Sequence, residues 1–474
     1  MASPFRSVLE SALTHSLDHL DSLDKTPVGA TASLEDLRRR LSRPLTDEGV
    51  SPTQVIDDLA ADVQGGLTGS AGGRFFGWVM GGAVPAALAA DWLAVAWDQN
   101  AGLYATAPAE AVVEEVAGAW LKDVLGLPAS ASFALVTGCQ MAHVTGLAAA
   151  RHGLLARHGW DVEKAGLAGA PAIHILTGDQ RHGTVERAAR LLGLGSGSIV
   201  DLPVDERGCL TKAELERALA QWRGQPTVVL LQAGDLNIGA YDDFAELIPL
   251  AHRHGAWVHV DGAFGLWAGA SPRLKHLLAG VGEADSWATD GHKWLNVPYD
   301  SGYAFVADAD SHRASMSHRA SYLTHAEEAR DQMDWNPEWS RRGRGVATYA
   351  ALRQLGRAGV ADLVERCCRY AHALVTRIGA LPGAEMLWEP QINQGLVRFL
   401  DGRAGATPAD HDRRTDEVIA AILQTGEAFF TGTTWRGKRC MRVSVCNWQT
   451  SDRDVDRAVA AAKAVLEREP AAAP

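Results

Sequence analysis

Between Trp257 and Leu295 the chain reads WVHVDGAFGLWAGASPRLKHLLAGVGEADSWATDGHKWL, and this stretch decides the fold. It holds two short apolar runs, Trp257-Val260 and Ser286-Ala288, each followed by polar residues: Asp261 after the first, and Asp290, His292 and Lys293 after the second. Short apolar runs bounded by glycine and polar clusters read as buried strands. Working outward, further candidate strands are Phe133-Val136, Ala172-Leu176, Ser198-Leu202, Thr227-Leu231 and Gly302-Val306. Helical patterns lie between most of them, at Met141-His158, Thr184-Leu192, Lys212-Trp222 and Asp243-His254. Strands alternating with helices build βαβ units, so the expectation is an α/β fold with a mostly parallel, doubly wound sheet.

The flanks read differently. Residues 1–72 look like a helical arm: Val8, Leu9, Leu13, Leu17 and Leu20 follow helical spacing, and Ser51-Pro52 opens a helix carrying Val55, Ile56, Leu59 and Val63. Such an arm packs either on a partner subunit or on its own core. Residues 73–345 form the large α/β domain, and residues 346–474 a small C-terminal α+β domain. In the latter, helical patterns at Val346-Leu355 and Val360-Ile378 precede strand-like runs Gly395-Phe399 and Arg439-Val445 and a last helix, Asp452-Arg468.

Composition narrows the function. The 474 residues are 47% hydrophobic and 22% charged, which excludes wholesale disorder and fibrous designs. A net charge of -12 argues against a nucleic-acid footprint, which needs clustered Lys and Arg. The six cysteines show no CxxC spacing, so neither a disulfide framework nor a zinc site is expected. The longest apolar stretch, Ala83 to Trp97, is broken by Pro85 and Asp91 and is too short to span a bilayer. A cytoplasmic metabolic enzyme that binds no nucleic acid or membrane is the expectation.

Ligands of open α/β sheets bind beyond the carboxyl ends of the strands, and four such places hold unusual residues. Gly138, Cys139 and Gln140 sit where a strand turns into a helix, whose N–H groups and dipole suit an anion. The second place is Gly178-Asp179-Gln180-Arg181-His182-Gly183-Thr184, where a lone histidine also reads as a helix cap. The third is Asp261, which is costly to bury unless it pairs with a cation or a protonated ring nitrogen. The fourth is Lys293, flanked by His292 and Trp294: burial lowers the pKa of an amine and readies it for Schiff-base chemistry.

In order and spacing, HVDGAFG, DSWATDGHKWL and GDQRHGTVERA resemble the pyridoxal-phosphate-dependent group II amino-acid decarboxylases, with the aspartate-aminotransferase fold (fold type I), over about residues 75–459. The resemblance implies a seven-stranded sheet, a lysine-bound pyridoxal 5'-phosphate and a homodimer with shared active sites. It implies that Lys293 forms the aldimine with the cofactor aldehyde, and that Asp261 keeps the ring nitrogen protonated as an electron sink. His182 would stack on one ring face with Ala263 against the other. Gly138, Cys139, Gln140 and His292 would hold the phosphate, with Asp290 beside it. Tyr322 would return a proton to the quinonoid at Cα after carbon dioxide leaves.

The sequence departs from the family at TGCQMA, where small hydroxyl residues and a glutamate are usual, at Asp235 for a threonine, and at Asp290 for an asparagine. A carboxylate at Asp290 would repel a phosphate dianion, so it either points away or pairs with a base. Trp78 and Tyr104, in segments that line the family's substrate pocket, are apolar and aromatic, and favour an aromatic or bulky apolar L-amino acid. Arg442 is a candidate for the substrate carboxylate, whereas Arg398 reads as structural. Decarboxylation is the expected reaction; aminotransfer, aldol cleavage and oxidative aldehyde formation are alternatives on the same fold. A hydrolase using His252, His254 and His259 lacks metal-ligand spacing, and a catalytically dead scaffold would be expected to have lost Lys293.

Overall fold

A computed structural model describes residues 3–318 and 329–468, which fall into two units. One comprises Gly81–Arg369 with Pro390–Gly395; the other comprises Met1–Met80, Tyr370–Glu389 and Leu396–Pro474.

The N-terminal segment forms α1 (Arg6–Ser22), α2 (Leu34–Leu41) and α3 (Pro52–Asp62). Ser51 caps α3, its hydroxyl accepting the backbone N–H of Gln54 at 3.3 Å, with Pro52 in the first turn where its missing donor costs nothing. Helices α1 and α3 meet at Asp57, which accepts from Ser11 at 2.6 Å and pairs with His15 at 2.8 Å. Arg74 stitches this segment to the C-terminal part of its unit. It is buried, and its guanidinium donates to the carbonyls of Leu23, Thr26, Gly426 and Glu427 at 2.6–3.1 Å. Several carbonyl acceptors around one fork of donors are what make a buried guanidinium tolerable.

In the larger unit, β1 (Ser132–Val136), β2 (His174–Gly178), β3 (Ile199–Leu202), β4 (Thr227–Gln232), β5 (Trp257–Asp261), β6 (Ser286–Asp290) and β7 (Gly302–Val306) form one sheet ordered β1-β7-β6-β5-β4-β2-β3. Strand β7 runs antiparallel to β1 and β6, while the pairs from β6 to β3 are parallel. All seven strands lie within two residues of where the apolar runs place them. Strands β4 to β7 are buried along their whole length, as expected where both faces of a sheet are covered. The unit's helices begin α4 (Pro85–Trp97), α5 (Pro108–Leu125), α6 (Cys139–Arg157), α7 (Val162–Ala165) and α8 (Gly183–Leu191). Leu147, Ala150 and Leu154 of α6 and Val185 and Ala188 of α8 pack with Ile175, Val228, Leu230 and Trp257 of the sheet. Small residues let α6 lie close: a Cβ on Gly146 would come within 2.7 Å of the His259 ring.

The other unit carries a sheet of β8 (Ala384–Trp388), β9 (Gln394–Phe399), β10 (Thr431–Trp435) and β11 (Lys438–Ser444), ordered β10-β11-β9-β8. The sequence marks β9 and β11 but not β8 or β10. The long helix Gly345–Gly379 is interrupted at Gly356, whose φ of 61° and ψ of 179° no helix contains, in the gap the sequence leaves between two helical patterns. No helix among the described residues is long and apolar enough to cross a membrane.

Candidate active site at the ends of two neighbouring strands

Parallel pairing of β5 with β6 sets Asp261 opposite Ala288, so the polar residues after both runs emerge at one end of the sheet. Two backbone bonds carry the register past the strands: Gly262 N–H to the Ala288 carbonyl at 2.9 Å and Asp290 N–H to the Ala263 carbonyl at 3.0 Å. Beyond β6 the chain turns, and the Lys293 Nζ comes back to 2.9 Å from Asp290 Oδ2. Asp290 is almost fully buried, while the lysine side chain keeps 22% of its exposure, so the amine is reachable.

Three donors converge on the Asp290 carboxylate. Besides Lys293, the Cys139 N–H at the start of α6 donates at 2.5 Å, and His292 Nε2 lies at 3.5 Å. Ser301 N–H donates to His292 Nδ1 at 3.2 Å, which leaves the ring proton of the neutral imidazole on Nε2, facing Asp290. Asp290 therefore pairs with a base and sits at the helix N-terminus. Burial pushes the Lys293 ammonium down, but Asp290 beside it, with Asp261 and other nearby groups, more than offsets this and the pKa stands above the ordinary lysine value. The expectation of a depressed amine pKa is thus corrected: desolvation acts, and a carboxylate at contact distance overrides it.

Asp261 is buried, and its Oδ1 accepts the N–H of Ala263 at 3.1 Å. Burial raises its pKa, but His143 at 3.5 Å, with His182 and Lys293 nearby, holds it well below the usual carboxylate range. His143 is the site residue that the sequence reading misses. It lies one helical turn after Cys139 inside an alanine-rich helix, where a histidine reads as core. Its Nδ1 contacts His259 Nε2 at 2.9 Å, and its Nε2 lies 3.5 Å from the Cys139 sulfur. Cys139, His143 and Asp261 place ligand-type atoms within 4.8 Å of one another, yet burial, with Asp261 and Asp290, pushes the Cys139 pKa well up and keeps a thiol there, a poor metal ligand.

His182 caps α8. Its Nδ1 accepts the Thr184 N–H at 3.3 Å, so the neutral ring carries its proton on Nε2, and the ring stays exposed. Gln140 Nε2 ties the α6 start to this segment through the Thr184 carbonyl at 3.4 Å. Gly138 lies against the His292 ring, where a Cβ would come to 3.1 Å, and Gly302 lies against Gly138, where a Cβ would come to 2.4 Å.

The structure thus gathers Gly138, Cys139, Gln140, Asp261, Ala263, Asp290, His292 and Lys293, with His182 on the adjoining α8 segment. Tyr104 is in the same unit, its N–H donating to the Asp331 carboxylate at 2.9 Å. Trp78 and Arg442 belong to the other unit. Trp78 is exposed at φ 49°, its ring 5.4 Å from that of Phe429, and Arg442 Nε donates to Ser444 Oγ at 3.3 Å. Arg398 donates to Asp412 at 2.7 Å and to the Pro408 carbonyl at 3.0 Å, a structural role. Asp235 caps its own turn, accepting the N–H groups of Asn237 and Ala240 at 2.8 and 2.7 Å. Tyr322 lies outside the described residues.

These groups fit pyridoxal phosphate: a reachable amine, a carboxylate held ionised, an exposed imidazole, and a glycine-opened helix start, whose Cys139 N–H and neighbouring His292 face Asp290 here. The model of the pyridoxal-dependent decarboxylase conserved domain matches residues 35–400. An aromatic-L-amino-acid decarboxylase of Bacillus atrophaeus is 25% identical over 98% of this chain and 96% of its own length. An acidic amino acid decarboxylase of Mus musculus is 27% identical over 75% of this chain and 65% of its own length. A crystal structure of Oryza sativa TDC with PLP and tryptamine superposes with a TM-score of 0.91 at 25% identity, covering 98% of both chains.

Proposed function

The chain belongs to the pyridoxal-dependent decarboxylase family and is a pyridoxal-phosphate-dependent amino-acid decarboxylase; we propose that it acts on an aromatic or bulky apolar L-amino acid, with Lys293 holding the cofactor and Tyr322 delivering the proton. The observation that carries the site assignment is the register of β5 and β6, which sets a buried, ionised Asp261 and a reachable Lys293 at one end of the sheet.

When bound, the cofactor supplies an electron sink for the pair left by the departing carboxylate. Lys293 would hold the cofactor through its amine, the group a substrate amine would replace. The Asp261 carboxylate, kept charged by His143, holds the proton on the ring nitrogen. His182 and the small Ala263 would flank the cofactor, the exposed imidazole on one side and a methyl group on the other. The start of α6, at Gly138, Cys139 and Gln140, binds the phosphate together with His292. Tyr322 is assigned proton delivery to Cα on its sequence context, a step that commits the product to an amine.

The substrate class rests on Trp78 and Tyr104, on the lack of a second cation in their segments, and on the near full-length similarity to an aromatic-L-amino-acid decarboxylase. Arg442 is assigned to the substrate carboxylate. We further infer a homodimer: α4 leaves Trp92, Leu93, Val95 and Trp97 between 42% and 62% exposed, an apolar face of the kind that marks an interface. Sedimentation equilibrium that returned a monomer would remove that inference. The test of the function is product analysis by mass spectrometry across a panel of L-amino acids. The expected result is an amine from Trp, Tyr or Phe and a far lower kcat/KM for Glu. A preference for Glu would refute the substrate class, and an aldehyde from wild-type protein would remove the role given to Tyr322.

A further inference from the structure

From Asp261 runs a chain of buried polar contacts, of which the reaction as described uses only the first. Asp261 Oδ2 faces His143 Nε2 at 3.5 Å, His143 Nδ1 faces His259 Nε2 at 2.9 Å, and His259 Nδ1 faces Ser286 Oγ at 2.7 Å. Trp257 Nε1 ends the chain, 2.9 Å from the same hydroxyl. His143, His259 and Ser286 are each 0% exposed, so no solvent competes for their hydrogen bonds.

The protons in this chain can be placed in only a few ways. An indole N–H only donates, so Ser286 Oγ accepts from Trp257, and the serine's own proton is free to go to His259 Nδ1. Burial, with His143 beside it, pushes the His259 pKa down to about 3, so this ring is neutral and carries one proton. If Nδ1 accepts from Ser286, that proton is on Nε2 and is donated to His143 Nδ1. A neutral His143 then carries its proton on Nε2, facing Asp261. In the reverse order His259 donates to Ser286 and accepts from His143 Nδ1. His143 Nε2 would then present a bare lone pair to the carboxylate unless His143 is itself an imidazolium. The first order, and the second with an imidazolium, put an N–H on His143 Nε2 facing Asp261; the second with a neutral ring leaves Nε2 to accept from the Cys139 thiol 3.5 Å away.

We propose that His143, fixed by His259, Ser286 and Trp257, is a positioning residue that holds the Asp261 carboxylate in place for the cofactor's ring nitrogen. The proposal rests on the role assigned to Asp261 above. The fold accommodates the chain at a specific cost: position 146 on α6 must be glycine, because a Cβ there would lie 2.7 Å from His259 Cε1 and 3.4 Å from Ser286 Oγ.

The experiment measures the dissociation constant for pyridoxal phosphate and the pH dependence of the bound cofactor's visible absorption in wild type, His143→Leu, His143→Gln, Ser286→Ala, Asp261→Asn and the His143→Leu/Asp261→Asn pair. A hydrogen bond to a charged group is worth about tenfold to a hundredfold in binding, so His143→Leu weakens the cofactor by that range and His143→Gln, which keeps an N–H, restores most of it. Ser286→Ala, which has no contact with Asp261 in the chain of bonds, shifts both readouts in the same direction by a smaller factor. In the Asp261→Asn background the His143 effect disappears, because its target has gone. An unchanged dissociation constant in His143→Leu, or an equal loss in both backgrounds, overturns the relay. If His143→Leu fails to fold, Ser286→Ala decides: a dissociation constant and absorption profile both equal to wild type overturn the relay. An Asp261→Asn protein that binds and absorbs like wild type would overturn the Asp261 assignment itself, and the relay with it.

Discussion

Asp290 shows how one residue can be conspicuous in a sequence without declaring its partner. A carboxylate beside a phosphate site must be neutralised, and the structure supplies Lys293 at 2.9 Å and the Cys139 N–H at 2.5 Å. The consequence is a Lys293 ammonium held above its ordinary pKa, although only the neutral amine attacks an aldehyde. Capture of the cofactor therefore speeds up as pH rises, and removing the counter-ion moves that rise to lower pH. Asp290→Asn, which keeps an acceptor for Cys139, is expected to shift the profile down by about one pH unit or more, read by stopped-flow absorbance. An unmoved profile would mean that another group sets the Lys293 pKa. At this scale Asp261, His182 and Lys293 were legible because each follows a strand-like run or a glycine turn. His143 was not: nothing in GCQMAHVTGLAAA separates a ring that faces a carboxylate from one that fills a core.

Among elements, the parallel core was readable because strands buried on both faces are continuous apolar runs. The small sheet was half readable. Its β9 is buried throughout and β11 over its last five residues, each with a short apolar stretch, whereas β10, TGTTW, has one large apolar residue and β8, AEMLW, is only partly buried. Edge strands with one dry face leave little pattern to find. Contacts between elements are still less visible in a sequence: Gly302 opens β7 directly against Gly138, the residue that starts α6. A methyl group there would lie 2.4 Å from the Gly138 Cα, a backbone atom that cannot rotate aside. Gly302→Ala is expected to cost about 1–3 kcal/mol in urea unfolding and to weaken cofactor binding, since the phosphate turn must shift. Wild-type stability with wild-type binding would show that the strand and turn are not coupled.

For the whole molecule, acid sensitivity follows from two histidines buried as neutral rings. His312, between Ser132 and the Trp335 carbonyl, and His259 in the relay are both pushed down to about 3, chiefly by burial. The unfolded chain takes up these protons below about 6.5 and the native protein only near 3, so stability is complete above 6.5 and falls as pH drops through that window. Each ring contributes a slope of about 1.4 kcal/mol per pH unit in the middle of the window. His312→Gln, which retains a donor and an acceptor, is expected to remove one such increment from the slope of unfolding free energy against pH; an unaltered slope would mean that His312 is protonated in the native state.

Every role assigned at this site depends on Lys293 as the residue that holds the cofactor. The most direct measurement is reduction of the cofactor-loaded protein with borohydride, followed by mass spectrometry of its peptides. One reduced cofactor is expected on the peptide containing Lys293 and none on Lys293→Ala protein. Cofactor fixed to a different lysine, or retained by Lys293→Ala protein at wild-type activity, would contradict that assignment.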